Sequence, residues 1–296
     1  MQSLSSPLSG TFTALVTPFN RDGTVDTGAL DALVAQQLAA KIDGLVPCGT
    51  TGEAATLTAD ERDLVLSRVV QAVAGRIPVV AGTGSNSTAA TILAQRRALD
   101  LGASHGLVVT PYYNRPTAEG LYAHYAAVAE ATPLPLLAYN VPSRTGCDLT
   151  AAVWQRLASS PRIVGFKEAS GDLTRLPALR AASADAALLS GDDLTCAAFV
   201  LLGGDGVISV LSNLLPAAMV ALVAAARAGA LVPVRAAQAR LAGLMADLFR
   251  TPNPVPIKAA LALRGDIQEI YRLPLVPLPA AERAALADRL HTNGWL

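Results

Sequence analysis

Eight short apolar runs recur along the chain, and segments with helical spacing lie between them. The runs are rich in β-branched residues and predict strands at Thr11–Phe19, Gly44–Gly49, Pro78–Gly84, Gly106–Tyr113, Pro135–Asn140, Ile163–Ser170, Ala187–Asp193 and Gly206–Val210. The segments between them, such as Asp60–Ala74 and Ala118–Ala131, predict helices. Near-continuously apolar strands joined by helices indicate a parallel sheet whose faces are covered.

Eight strand–helix units in roughly 215 residues predict the α/β class and, within it, a closed (β/α)8 TIM barrel. An open dinucleotide-binding sheet would need a glycine fingerprint early in the chain. The nearest segment, Gly82-Thr83-Gly84-Ser85-Asn86-Ser87, lacks the third glycine and follows the third strand. After about Gly229 the pattern becomes helical, so we predict a barrel domain over residues 1–229 and a C-terminal helical domain over 230–296.

The charge pattern limits the partners that the chain can have. Its 23 basic residues balance 23 acidic ones, which gives no electrostatic reason to expect nucleic acid or an anionic membrane as a partner. The longest apolar stretch, residues 217–226, is far shorter than the roughly 20 residues of a membrane span. Only 16% of the residues are charged, against about 25% in soluble proteins, and this predicts a homo-oligomer with much of its surface in subunit contacts.

The cysteine and histidine spacings predict neither disulfides nor a metal site. Both residue types are scattered, and they stand at Cys48, Cys147, Cys196, His105, His124 and His291. The three cysteines form no CxxC pair, so we expect them to be reduced and buried. The histidines share no ligand spacing. The N-terminal segment has neither a basic start nor a continuous apolar stretch, and we therefore expect a cytoplasmic location.

Lys167, one of only three lysines, ends the apolar run predicted as the sixth strand. In such a barrel, the carboxyl ends of the strands carry the active site. A lysine with its ordinary pKa near 10.4 is almost fully protonated at neutral pH, and lowering such a pKa by ~3 units through burial costs about 4 kcal/mol. Lys167 is thus a candidate Schiff-base amine. The alternative is a lysine that reaches out to water along its aliphatic stem.

Other strand ends carry polar groups that suit the same chemistry. The turn Gly49-Thr50-Thr51-Gly52 offers two hydroxyls and backbone N–H groups to a small carboxylate, although it could instead cap the next helix. No lysine follows this turn, so it is not a nucleotide phosphate loop. Tyr139 is a candidate for the proton transfers of imine chemistry, or else a core tyrosine. Arg144 can bind a second carboxylate, or else lie at the surface.

Two more pairs of neighbouring residues follow predicted strands. Tyr112 and Tyr113 are adjacent, so on an extended segment one can face its own site while the other reaches a neighbouring subunit. Asp192 and Asp193 follow the seventh strand as caps or rim charges, and we assign them no catalytic role.

As a set, five motifs resemble the dihydrodipicolinate synthase family in register over nearly the whole chain. They are Gly49-Thr50-Thr51-Gly52-Glu53, Tyr112-Tyr113-Asn114-Arg115-Pro116, Tyr139-Asn140-Val141-Pro142-Ser143-Arg144-Thr145-Gly146, Gly165-Phe166-Lys167-Glu168-Ala169 and Gly206-Val207-Ile208-Ser209. The resemblance implies a pyruvate Schiff base on Lys167, an enamine, and condensation with L-aspartate 4-semialdehyde to give 4-hydroxytetrahydrodipicolinate for diaminopimelate and lysine synthesis. The iminium is the electron sink, so no metal or organic cofactor is expected.

The resemblance also implies roles for individual residues. Tyr139 would donate and accept protons, linked through Thr50 to Tyr113 of an adjacent subunit in a tight dimer. Thr51 and the backbone at Ile208 would hold pyruvate, and Arg144 the carboxylate of the semialdehyde. These residues are Lys167, Tyr139, Thr50, Tyr113, Thr51, Arg144 and Ile208. The family is typically a dimer of dimers, which fits a homotetramer.

Two alternatives stay open. N-acetylneuraminate lyases and 2-keto-3-deoxy sugar acid aldolases resemble this chain in the barrel and the lysine, but typically lack an arginine after the strand-five tyrosine. A barrel that only binds a keto acid, with Lys167 as a counter-ion, is the alternative without catalysis.

The chain departs from the family at the site where lysine-inhibited members bind lysine. Asn86 and Tyr112 match that site, whereas Ala54, Ala59 and Ala90 replace serine, histidine and glutamate. The loss of the carboxylate removes a partner for the ligand's ammonium, and we expect weak or absent lysine inhibition.

Overall fold

The computed structural model describes residues 8–296, so the N-terminal residues 1–7, on which the expected location rests, lie outside it. Its eight strands are β1 Gly10–Ala14, β2 Gly44–Val46, β3 Val80–Gly82, β4 His105–Val109, β5 Leu136–Asn140, β6 Ile163–Glu168, β7 Ala187–Ser190 and β8 Gly206–Ser209. Its helices are α1 Thr27–Ala39, α2 Ala59–Val73, α3 Thr88–Asp100, α4 Ala118–Ala131, α5 Pro142–Thr145, α6 Ala151–Leu157, α7 Leu176–Ala182, α8 Cys196–Leu201, α9 Pro216–Arg227, α10 Leu231–Asp247, α11 Val255–Arg264 and α12 Ala280–Thr292.

The strands form one parallel sheet in the order β2-β1-β8-β7-β6-β5-β4-β3. Its two edges meet, because the backbone N–H of Leu45 donates to the Pro78 carbonyl at 3.1 Å and that of Gly82 donates to the Pro47 carbonyl at 2.9 Å. Within the described chain the sheet therefore closes on itself, and the predicted (β/α)8 barrel is confirmed.

The strands are near-continuously apolar because both of their faces pack into the interior of the protein. One cluster lines the inside of the barrel and includes Phe12, Val80, Leu107, Tyr139 and Ile208. The other face of the same strands packs on the surrounding helices; Phe166, for example, meets Trp154 with ring centroids 5.0 Å apart. Because strand residues alternate between the two faces, a residue's position along its strand decides whether it enters the barrel.

Several strands end earlier than predicted. The first was placed at Thr11–Phe19, but β1 ends at Ala14, and the N–H of Val16 donates to Oδ1 of Asn213 at 3.1 Å instead of to a strand. The fourth was placed at Gly106–Tyr113, but β4 ends at Val109, two residues before Pro111, which has no N–H to donate. The apolar runs continue because their ends form buried loops at the rim of the barrel.

Helix α2 shows how the chain leaves a strand end. Thr58 forms a capping box with Glu61: its hydroxyl accepts from the Glu61 N–H at 3.2 Å, and its own N–H donates to the Glu61 carboxylate at 2.9 Å. The Gly-Thr-Thr-Gly turn lies upstream and does not cap the helix, so that alternative reading of the turn is wrong. The hydroxyls of Thr50 and Thr51 remain available for another use.

The last three helices, α10 to α12, share an apolar core with the barrel. One continuous cluster joins Leu15 and Leu45 of the barrel to Leu244, Leu261 and Leu290 of these helices. Residues 265–279 between α11 and α12 form turns and irregular structure. The division of the chain at residue 229 stays a prediction.

Three properties predicted from composition can be compared with the described residues. None of their helices is long and apolar enough to cross a membrane. Cys48 and Cys196 are buried, Cys147 is half-buried, and all three are free thiols. Burial raises the pKa of the Cys48 thiol to about 12, so this thiol is not ionised at neutral pH.

Two buried histidines predict acid sensitivity of the fold. Burial lowers the pKa of both His105 and His124 to about 4, below the ordinary 6.5. Between these values the unfolded chain binds more protons than the folded one, so stability is full above about pH 6.5 and falls toward pH 4. We expect a loss of up to about 3 kcal/mol per histidine, measured by urea unfolding across this range.

His124→Gln should flatten this pH dependence, because it removes one of the two buried imidazoles. Equal slopes for the His124→Gln variant and the parent would contradict the assignment.

Candidate active site

Lys167 lies inside the mouth of the barrel, with only 7% of its surface exposed. It is the register partner of Tyr139 on the neighbouring strand β5, and both side chains are on the inner face. The Lys167 Nζ lies 4.1 Å from the centre of the Tyr139 ring. The lysine therefore does not reach out to water, and that alternative reading of Lys167 is wrong.

Gly191, directly after β7, makes room for the lysine stem. A Cβ at this position would lie 2.8 Å from Cε of Lys167 and 2.5 Å from Cβ of Ala169, both too close for a real contact. The absence of a side chain at Gly191 thus lets Lys167 extend over the barrel interior. Sequence reasoning missed this residue, because a glycine after a strand is most often needed only for a turn.

A cavity of ≈ 180 Å³ opens at the carboxyl ends of the strands, around the lysine and the tyrosine. Five of the seven predicted site residues line it: Thr50, Thr51, Tyr139, Arg144 and Lys167. Ile208 instead lies within the buried barrel interior at β8, and Tyr113 projects into solvent with 89% of its surface exposed. Five residues that lie between positions 50 and 167 of the chain therefore converge on one pocket.

Asn253, which sequence reasoning missed, completes the wall of the cavity. Its Nδ2 donates to the hydroxyl of the buried Thr51 at 2.9 Å, and its backbone carbonyl accepts from Nη2 of Arg144 at 3.3 Å. One residue from the C-terminal region thus fixes two of the predicted substrate-binding groups. The only sequence signal is the proline-rich break Thr251-Pro252-Asn253-Pro254-Val255-Pro256 within the helical C-terminal region.

The charges at the cavity suit an anionic substrate. Lys167 and Arg144 line it together with one carboxylate, that of Asp192. An oxygen of this carboxylate already accepts from the N–H and the hydroxyl of Thr195, at 2.9 and 2.6 Å, as expected for a capping residue. The cavity therefore favours a ligand that carries carboxylates.

Asp193 supports the end of β8 from behind. Its carboxylate accepts from the backbone N–H groups of Val210 and Leu211 at 2.9 and 2.8 Å, and burial raises its pKa above the ordinary range. Val210 lines the cavity, so this contact orders the backbone that follows Ile208.

Tyr113 has a backbone conformation that few side chains adopt. Its φ is +72°, in the left-handed region, while its neighbour Tyr112 is 41% exposed. The two tyrosines lie in the loop after β4, not on the strand as predicted. A large aromatic side chain held in this conformation and left almost wholly exposed marks this loop as a surface that can meet another molecule.

Among residues 8–296, no three acidic, histidine or cysteine side chains are arranged to hold a metal ion.

The structure is a closed (β/α)8 barrel that buries a lysine against a tyrosine at the carboxyl ends of its strands, an arrangement that suits reaction of an amine with a carbonyl compound. The model of the dihydrodipicolinate synthetase family matches residues 7–293. The chain belongs to this family.

The similarity to individual relatives extends over almost the full length of this chain. The chain is 50% identical over 287 residues to a 4-hydroxy-tetrahydrodipicolinate synthase of Sorangium cellulosum, covering 96% of this chain and 95% of that one. A dihydrodipicolinate synthase of Acinetobacter baumannii, solved in complex with pyruvate, is 44% identical with a TM-score of 0.96 over 98% of this chain and 100% of its own. A dihydrodipicolinate synthase variant described as monomeric is 41% identical to this chain, with a TM-score of 0.95 and 98% of each chain covered.

Proposed function

We propose that this chain condenses pyruvate with L-aspartate 4-semialdehyde to form 4-hydroxytetrahydrodipicolinate, a step toward diaminopimelate and lysine. The observation that carries the proposal is the buried amine of Lys167, which lies 4.1 Å from the Tyr139 ring in a cavity shared with Arg144 and the threonine turn. The full-length relatives named 4-hydroxy-tetrahydrodipicolinate synthase support the choice of substrates.

The reaction begins with attack of the Lys167 amine on the keto carbon of pyruvate. The carbinolamine loses water to give an iminium, which accepts the electron pair when a methyl proton leaves and so forms an enamine. The enamine carbon attacks the aldehyde carbon of the second substrate. This attack re-forms the iminium, and the aldehyde oxygen takes up a proton to become a hydroxyl. The amino group of the second substrate then attacks the iminium carbon and displaces Lys167, which closes the ring and frees the amine, so that one water is released overall.

Tyr139 carries the proton transfers in this scheme. Its ring lies against the amine, and its phenol can donate to the leaving hydroxyl of the carbinolamine and take the proton back later. Thr51, which lines the cavity, holds the pyruvate carboxylate. Ile208 is not among the lining residues, so a contact from its backbone stays a prediction from the resemblance. The contact from Asn253 to the Thr51 hydroxyl orients this group before substrate arrives.

Sodium borohydride trapping tests the proposal directly. Incubation of the protein with pyruvate and reductant should add one reduced pyruvate, as a 1-carboxyethyl group, to the Lys167 amine. In a separate coupled assay, untreated wild-type protein should form product from pyruvate and aspartate semialdehyde. If folded protein is not trapped, the remaining function is binding of a keto acid without catalysis. If the protein is trapped with pyruvate but turns over a sugar-derived aldehyde instead of aspartate semialdehyde, it is one of the sugar acid aldolases.

Subunit assembly enters the proposal through Tyr113. The almost fully exposed ring supports a homo-oligomer in which Tyr113 enters the cavity of an adjacent subunit and links to Tyr139 through Thr50. A dimer of dimers is the proposed form, and a cytoplasmic location stays a prediction.

Tyr113→Phe tests this relay. We expect kcat to fall about 10-fold, because a proton-transfer group typically contributes 10² to 10⁴-fold and the relay residue acts only through Tyr139. The oligomeric state, measured by sedimentation, should not change. Tyr112→Phe is the matched control one residue away, and an equal loss of kcat in both variants would argue against the relay.

Lysine should inhibit this enzyme weakly or not at all. Ala59 and Ala90 are exposed and Asn86 is half-buried, and neither alanine offers a carboxylate to a bound ammonium. We expect less than half inhibition at millimolar lysine in the coupled assay. Ala90→Glu should increase the sensitivity, and a micromolar inhibition constant for the wild type would refute the prediction.

A further inference from the structure

A second buried lysine, which the proposed chemistry does not use, lies in helix α11. The Nζ of Lys258 is 2.5 Å from Oε1 of Glu53, and both side chains are almost completely excluded from solvent. The rings of Phe19 and Tyr271 flank the ammonium at 4.3 and 5.4 Å. Because desolvation of two charges offsets most of their attraction, a buried pair of this kind is weak evidence of stabilisation, and another role has to be considered.

Glu53 directly follows the turn Gly49-Thr50-Thr51-Gly52, whose two threonines line the cavity. Its N–H donates to the Thr50 carbonyl at 3.1 Å, and the N–H of Gly52 donates to the Gly49 carbonyl at 3.1 Å. The backbone of Glu53 has a φ of +53°, in the left-handed region, where a side chain is kept only if its surroundings hold it. The carboxylate of Glu53 therefore anchors the turn that presents Thr50 and Thr51.

The other contacts of this carboxylate also come from the C-terminal region. Its Oε2 accepts from the backbone N–H of Arg272 at 3.3 Å, and the Arg272 guanidinium donates to the Thr56 carbonyl at 2.8 Å. Five residues before Lys258, Asn253 donates to the Thr51 hydroxyl. The C-terminal region thus contacts the turn at Thr51 and again at Glu53.

We propose that the buried Lys258–Glu53 pair positions the Thr50–Thr51 turn for the carboxylate of the keto acid bound at Lys167. This inference rests on the proposed function, since it concerns the pyruvate site of that reaction. Lys258 does not line the cavity, so it acts through Glu53 and is a positioning residue. Loss of the pair should weaken pyruvate binding and slow Schiff-base formation, because small displacements of binding groups cost large factors in rate.

Two variants separate positioning from stability. Lys258→Met removes the ammonium but leaves a buried unpaired carboxylate, and it therefore lowers stability as well. The double variant Glu53→Gln/Lys258→Met leaves no unpaired charge, so it should fold even where the single variant does not. In both, we expect the KM for pyruvate to rise about 10-fold and borohydride trapping at low pyruvate to slow by the same factor, with the KM for the semialdehyde changing less than twofold.

Arg289→Met is the matched control, because it breaks an ion pair between α12 and Asp247 of α10 within the C-terminal helices. It should lower the melting temperature without altering pyruvate KM. Glu53→Gln alone keeps the size of the side chain and one oxygen that can accept from Lys258, so it should raise the KM for pyruvate by only about threefold. If the double variant does not fold, Glu53→Gln is the variant that tests the inference. The inference is overturned if the folded double variant has the same KM for pyruvate and the same trapping rate as the wild type. If only Glu53→Gln folds, the same comparison is made with that variant.

The test also separates this inference from the proposed function. If the wild-type protein is not trapped with pyruvate, the proposed function itself fails. If the wild-type protein is trapped and turns over, while the variants at positions 53 and 258 match it, the pair serves only the fold.

Discussion

Lys167→Ala is expected to abolish turnover, lowering kcat by at least about 1,000-fold in the coupled assay with pyruvate and aspartate semialdehyde. The variant removes the amine that forms the covalent bond, and no other lysine lines the described cavity to replace it. Alanine keeps the strand backbone and its pairing with β5 and β7, so the barrel should still form. Borohydride with pyruvate should then leave the mass of the protein unchanged.

The exposed Lys41 supplies a matched control for this loss. Lys41→Ala removes an amine of the same kind far from the cavity and should keep wild-type trapping and turnover. Circular dichroism and the melting temperature of Lys167→Ala establish that the variant is folded. Turnover in Lys167→Ala within 10-fold of the wild type would remove Schiff-base chemistry from consideration.

The positions of Lys167 and Tyr139 could be predicted because they depend on strand order alone. In a parallel barrel the carboxyl ends of all strands meet at one rim, so polar residues that end apolar runs converge. The register of β5 and β6 places these two residues side by side, and alternation along each strand turns both inward. Helix α4, Ala118–Ala131, was likewise predicted to the residue from its spacing.

Contacts with the C-terminal region could not be predicted in this way. Asn253 meets Thr51 across 202 positions of the chain, and Lys258 meets Glu53 across 205. No periodicity connects such residues, because their approach depends on how α10 and α11 pack on the barrel. In the sequence, Lys258 is distinguished only by being one of three lysines. Tyr113 is a further case, since the role proposed for its exposed ring requires an adjacent subunit.

Gly191 illustrates a third kind of limit. Its importance lies in the space it leaves for the Lys167 stem, and empty space has no signature in a single sequence. Strand ends were overestimated for a related reason: residues 15–19 are as apolar as a strand, but they are buried as a loop at the rim. Burial, rather than strand formation, determines how far such an apolar run extends.

Substitution of Arg144 is expected to have the second large effect on activity, and this effect should be confined to the reaction with aspartate semialdehyde. We expect Arg144→Met to lower kcat/KM for aspartate semialdehyde by roughly 100-fold, about 2.7 kcal/mol, because a charge-assisted contact to a carboxylate is lost. The side chain is exposed at the rim of the cavity, so the fold should tolerate the change. Pyruvate trapping at Lys167 should stay within about threefold of the wild type.

Arg144→Lys separates charge from geometry at this position. Lysine keeps the positive charge but cannot bind a carboxylate through two parallel N–H groups, so we expect it to recover only part of the loss, leaving kcat/KM roughly 10-fold below the wild type. An aldehyde without a carboxylate should be condensed equally well by the wild type and by both variants, since it never used the guanidinium. If Arg144→Met slowed pyruvate trapping as much as condensation, the arginine would serve the first substrate. Its contact with the Asn253 carbonyl, at 3.3 Å, would then be the route by which it supports Thr51.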